Sequence, residues 1–288
     1  MNKKGIALEI TTIVLLIIIS LAGVLSIDFS HAYEITNQYG HIVEVYGYGI
    51  YAHDSFFQAT ISVGTDICIL FVFVPMFIKV CIDYYRKGNT SCEIKLTAMY
   101  AVALYYAASI GFGLTYNRLF LAYLALFVCS LFGTFVHIKE MKCEKAVSIT
   151  KGLKIFLTLT GIALIVAWLP DIVPTVIEGT TLPLIGVYTT VITYILDMGI
   201  ISPLCFMCIY LLMKKDKLGT VILAILLRTC IVIGIMIFPQ TMCQTIGGCD
   251  LPIIAVVTKG LSFVLLGGFA FYFERKMYKE IADEEKEK

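Results

Sequence analysis

Charge is scarce in this chain. Only 15% of its 288 residues are Asp, Glu, Lys or Arg, against roughly 25% in an ordinary soluble domain. One tryptophan and seven prolines are present. No nucleophile–base pair, metal-ligand cluster or cofactor motif is recognisable, so no cofactor or metal is expected and enzymatic chemistry is disfavoured. Basic residues are nowhere interleaved with aromatics in an exposed patch, which argues against a nucleic-acid partner. No polar stretch is long enough for a soluble domain, so any activity belongs to helices or their connecting loops.

What the chain has instead is apolar length. Hydrophobic residues make up 59% of it, gathered in runs of about 18 to 25, enough to cross a bilayer core of about 30 Å. A lipid-exposed backbone must satisfy its own N–H and C=O groups, which calls for helices. The short alternating segments of a transmembrane barrel are missing. The runs predict an all-α polytopic membrane helix bundle forming a single transmembrane domain. Its eight transmembrane helices are expected near 6–27, 57–82, 96–116, 119–137, 153–170, 186–213, 219–239 and 252–273, with 274–288 as a charged, solvated tail. The first run exceeds the usual 7–15 apolar residues of a signal peptide and is interrupted by Glu9, so it reads as a retained anchor.

The positive charges set the orientation. Of 22 Lys and Arg, 19 fall on the side of the N-terminus, two (Arg228 and Lys259) within helices, and Arg118 alone on the other side. Cytoplasmic loops carry such an excess. The expected arrangement is a multi-pass protein of a prokaryotic plasma membrane with both termini cytoplasmic.

The two halves echo one another. Lys4-Gly5 opens the first helix and Lys151-Gly152 the fifth. The second and sixth each carry one Asp (Asp66, Asp197) and one Pro (Pro75, Pro203). Four helices per half would keep their direction on duplication, giving two parallel four-helix repeats. The Asp-to-Pro spacings differ, which weakens the correspondence.

Asp66, Asp197, Arg228 and Lys259 fall well inside helices, where a charge costs at least a few kcal/mol. At about 1.5 Å per residue, Asp66, Asp197 and Lys259 lie on the order of 12–16 Å below the outer surface. Two acids and two bases at similar depth are expected to neutralise one another. Arg228 has a second reading, a side chain snorkelling toward the cytoplasm.

The first outer loop is rich in tyrosine and histidine. His41 and Glu44 would share a helical face, although the histidine spacings match no compact metal motif. Asp54-Ser55 reads as a helix N-cap. Pro170, Pro174 and Pro183 mark 171–185 as an irregular connector. Cys243 and Cys249, both outside, are candidates for a disulfide. Cys205 and Cys208 form a C-x-x-C near the cytoplasmic end of their helix, where two small buried residues explain them.

Two blocks carry a resemblance: Tyr46-Gly47-Tyr48-Gly49-Ile50-Tyr51-Ala52-His53-Asp54-Ser55 with Gly64-Thr65-Asp66, and Tyr116 through Phe127. They resemble a widespread group of uncharacterised bacterial multi-pass membrane proteins. The second half is similar to the group only in its helix pattern. No activity is assigned to that group, so the resemblance implies a membrane protein and transfers no functional residue.

Function is therefore argued from the polar residues. Binding or transport of a small solute or ion is expected, through an outward-facing cavity lined by Asp66, Asp197, Lys259 and Arg228. Tyr51, Asp54, Asn117, Arg118 and Asp171 would stand near its mouth. One alternative is a non-catalytic partner or sensor subunit whose polar network is structural. The other is a membrane-embedded enzyme acting on a lipid or quinone at the outer face, with Asp54 or His53 as acid–base group.

Overall fold

The computed structural model describes residues 3–141, 146–182 and 184–286, the side chains of 3–5, 140, 255, 259 and 284–286 excepted. Eight helices are long and apolar enough to cross a membrane. In chain order they are α1 (Lys3–Val24), α2 (Phe56–Lys87), α3 (Thr90–Gly113), α4 (Phe120–Glu140), α5 (Lys151–Glu178), α6 (Ile192–Met213), α7 (Lys217–Ile246) and α8 (Ile253–Lys286). An even number of crossings puts both chain ends on one side, the terminal face. The longer connections lie on the other, the loop face.

Local signals fix the ends. Ser55 Oγ accepts from the Gln58 N–H at 3.4 Å and opens α2. Gly88, at φ 60°, closes α2 in the left-handed conformation that favours glycine. Asn89 Oδ1 accepts from the Cys92 N–H at 3.1 Å, so α3 starts at Thr90, six residues before the expected position. Helix α5 does not stop at Pro170. It continues through Pro174 to Glu178, and a left-handed Gly179 ends it. Proline is tolerated in a membrane helix where neighbouring groups satisfy the freed backbone, so Asp171 stands on a helix rather than in a loop. Pro239 lies inside α7 in the same way. The tail is not fully solvated either. Helix α8 continues into it and buries Glu274, Met277 and Ile281.

Between α1 and α2 the chain makes an antiparallel hairpin, β1 (Tyr33–Thr36) with β2 (Ile42–Val45), Tyr33 opposite Val45. Asn37 Oδ1 accepts from the N–H groups of Tyr39 and His41 at 3.0 and 2.9 Å and folds the turn. His41 and Glu44 therefore share no helical face. Residues of this loop (Tyr46 and Tyr51) pack on Phe56, Ala59, Val63 and Cys243.

The two halves pack by one plan. Helices α1 and α3 each pack on α2 and α4, and α5 and α7 each pack on α6 and α8. The halves join where α3 meets α7, with α2 on α7 and α6 on α3. Exchanging the halves maps these contacts onto one another, while a further contact of α3 with α8 has no counterpart of similar size between α7 and α4. Both α2 and α6 also widen by one residue, through π turns at Ile69–Phe73 and Asp197–Ile201. In each, the last N–H before a proline bonds five residues back, Val74 to Ile69 and Ser202 to Asp197. Pro75 and Pro203 follow, and proline would collide with the carbonyl four residues earlier. The π turn relieves that collision.

Candidate functional site

Asp66 lies just before the π turn that begins at Ile69 and has no exposed surface. The Tyr51 hydroxyl donates to Asp66 Oδ2, and the Tyr106 hydroxyl donates to Oδ1 at 2.5 Å. Tyr51 comes from the loop, held by the Ile50 N–H bond to Ser26 Oγ at 3.0 Å. Tyr106 comes from α3. On the third side α1 presents Gly23, where any Cβ would overlap the carboxylate. Tyr123 of α4 is buried within electrostatic range of both tyrosines. Asn117 Nδ2 donates to its hydroxyl at 3.1 Å. A carboxylate buried without a partner is costly. Here its partners are phenols.

Above this cage sits Asp54, also without exposed surface. It is not the helix cap; Ser55 is. Asp54 Oδ1 accepts from the Thr115 N–H and from the Tyr188 hydroxyl, both at 2.8 Å, while Oδ2 is buried without a hydrogen bond. Burial pushes the Asp54 carboxyl up to about 6. Burial, with the Asp54 charge beside it, raises the Tyr188 phenol well above its usual value. Asn37 Nδ2 donates to Gly186 O at 2.7 Å. Together these bonds tie the α1–α2 loop, the α3–α4 turn and the α5–α6 connection into one cover.

The second acid, Asp197, occupies the other half. Tyr105 of α3 donates to its Oδ1 at 2.9 Å and Trp168 Nε1 of α5 to its Oδ2 at 3.1 Å. Trp168 lies over Tyr194, ring centres 4.8 Å apart, and Tyr194 donates to Asp171 at 3.0 Å.

Among the described residues the four charges are not brought together: Arg228 pairs with Glu274 of α8 at 2.9 Å. The side chain of Lys259 lies outside the described residues. Among the described residues, neither Asp66 nor Asp197 faces a base. Asp66 has no exposed surface, and Tyr51, which bonds it, is itself buried in a cluster with Tyr46 and Phe56. An apolar groove of about 390 Å³ lies instead between α7 and α8, lined by Ile237, Phe238, Met242 and Val256 among others. Arg118 is exposed beside the cover. Cys243 and Cys249 are free thiols rather than a disulfide, both packed at the apolar cluster, with Cys249 Sγ 3.6 Å from Thr60 Oγ1.

The sequence therefore located the acids, Tyr51 and Asn117, and missed Tyr105, Tyr106, Tyr123, Trp168 and Tyr188. A tandem Tyr-Tyr in the middle of an apolar helix was the available signal. The fold and the apolar helices define the class, an integral multi-pass membrane protein. No family model, curated protein or solved structure matches the chain, so its site is interpreted from its own chemistry.

Proposed function

We propose that the protein binds a small solute or ion and carries it across a prokaryotic plasma membrane, with the terminal face cytoplasmic. The observation that carries this reading is Asp66: a carboxylate at membrane depth with two phenol donors and, among the described residues, no cation beside it. Intramembrane acids of this kind mark solute and ion pathways. The arrangement corresponds to an occluded site, with Tyr51 as its door toward the loop face. The π turns and prolines of α2 and α6 are the places where these helices can bend. Asp197 serves the second half in the same role.

The test is a panel of small solutes and monovalent cations, scored by thermal stabilisation of the purified protein and by uptake into proteoliposomes. At least one is expected to stabilise and enter with wild type and to do neither with Asp66→Asn. If Asp66→Asn responds to the whole panel as wild type does, the reading fails. The enzymatic alternative rests on the unpartnered Asp54 Oδ2. It would be favoured by a lipid- or quinone-directed activity that Asp54→Asn removes while Asp66→Asn spares it.

A further inference from the structure

A second polar cluster lies in the same four-helix unit, toward the terminal face. Each of its four helices contributes. Glu9 of α1 and His137 of α4 are both buried, with His137 Nε2 3.4 Å from Glu9 Oε1. That contact is too poorly aligned to be a hydrogen bond, and both atoms are buried without one. The other carboxylate oxygen, Oε2, accepts from the Tyr85 hydroxyl of α2 at 2.9 Å. Tyr100 of α3 stacks on the imidazole with ring centres 5.0 Å apart. Its hydroxyl, beside Thr12, is buried without a well-formed bond. Tyr84 meets the imidazole edge-on, and Cys81 is within range of Glu9. Among the described residues, no Lys or Arg pairs with Glu9 or His137.

Buried polar atoms are normally satisfied. A carboxylate and an imidazole left half-satisfied side by side are a place for something small that both can hold. Among the described residues no group of three His, Cys, Asp or Glu could hold a metal. The chemistry that Glu9 and His137 offer is acid–base. Along α1, Glu9 and Gly23, the residue touching Asp66, are roughly 21 Å apart at about 1.5 Å per residue. Leu16, Ile19, Phe73, Phe77 and Ala103, all fully buried, fill the interval. The unit thus carries an acid site toward each face, separated by a mostly apolar interval in which Ser20 and Ser130 are the buried hydroxyls.

We infer that the Glu9–His137 pair is a proton-exchange site serving the terminal face, and that the ion moved through this unit is the proton. This rests on the transport reading above and names its ion. A proton arrives from water at the terminal face, binds Glu9 or His137, and is released again. No redox change is involved, and Tyr85 and Tyr100 orient the pair. Among the described residues no hydrogen bond links the two sites, Ser20 and Thr134 bonding back to their own helices, so exchange with Asp66 requires the helices to move.

The test uses full-length protein in liposomes holding a pH-sensitive dye, with the membrane potential clamped and a pH step imposed. Wild type is expected to pass protons at least ten times faster than Glu9→Gln, and Glu9→Asp to restore part of the flux. A titrating carboxyl stretch in the infrared spectrum is expected in wild type and lost in Glu9→Gln. Should Glu9→Gln fold poorly, Tyr85→Phe and His137→Asn give the same comparison, each expected to slow the flux. Wild-type flux equal to that of empty liposomes would overturn the inference. So would Glu9→Gln flux within twofold of wild type, or retention of the infrared band. Solute stabilisation lost only in Asp66→Asn would still uphold the transport reading, so the two can fail separately.

Discussion

The two four-helix units share a packing plan and treat charge differently. In α1–α4 the buried acids face phenols and an imidazole: Asp66 with Tyr51 and Tyr106, Glu9 with Tyr85 and His137. In α5–α8 a buried cation is matched by an acid, Arg228 with Glu274, and Asp197 is held partly by Trp168 near the bundle surface. A matched pair can be replaced as a pair, although here Arg228 Nε and Glu274 Oε1 are also buried without a hydrogen bond, with Lys95 and Tyr278 nearby. An acid held only by hydroxyls keeps its capacity to accept a proton or a cation. One packing plan thus holds acids bonded to phenols in one unit and an acid paired with an arginine in the other.

That contrast can be broken most forcefully at Arg228. Arg228→Met should cost about 3–5 kcal/mol by leaving Glu274 buried alone, whereas Arg228→Met with Glu274→Leu should return close to wild type. Chemical unfolding of the three proteins in micelles measures it. A double variant as unstable as the single one would mean that the pair is tied into a wider network and the contrast is false.

Asp54 sharpens the comparison, because it joins the units through Tyr188. Its carboxyl is raised to about 6, so the folded protein binds this proton more tightly than the unfolded chain. The associated stability is present at low pH and is lost as pH rises through 6. Between pH 4 and 8 the loss should be on the order of 2 kcal/mol. Asp54→Asn should flatten that part of the profile. A variant that keeps the wild-type slope would show that the cover does not depend on this acid.

The smallest effect is a spectroscopic one. Trp168 is the only tryptophan, so fluorescence reports on the second unit. Asp197→Asn should shift its emission and cost about 1 kcal/mol for a lost hydrogen bond, while Asp66→Asn leaves the emission unchanged. An equal shift from both would erase the distinction between the units.

Much of this architecture was legible in the sequence. Apolar runs and basic clusters locate eight crossings, because hydropathy is a property of a segment. Asp66 and Asp197 stood out because a charge in such a run is costly. Their partners did not stand out. A tyrosine in an apolar helix resembles an interfacial or core residue until the fold aims its hydroxyl, and Tyr105 and Tyr106 are aimed by how α3 sits between α2 and α6. Glu274 was hidden by the charged residues that follow it, so composition assigned it to the solvated tail. The helix through Pro170 and Pro174 was missed because proline breaks helices in water more reliably than in a bundle surrounded by lipid.

Tyr105 and Tyr106 are neighbours in the chain, and at 3.6 residues per turn their directions differ by about 100° around the axis of α3. One reaches Asp197 and the other Asp66. The helix therefore works as a shared axle. A twist that withdraws one phenol displaces the other in the same movement, so neither half can change its grip on its acid without the opposite half registering the change.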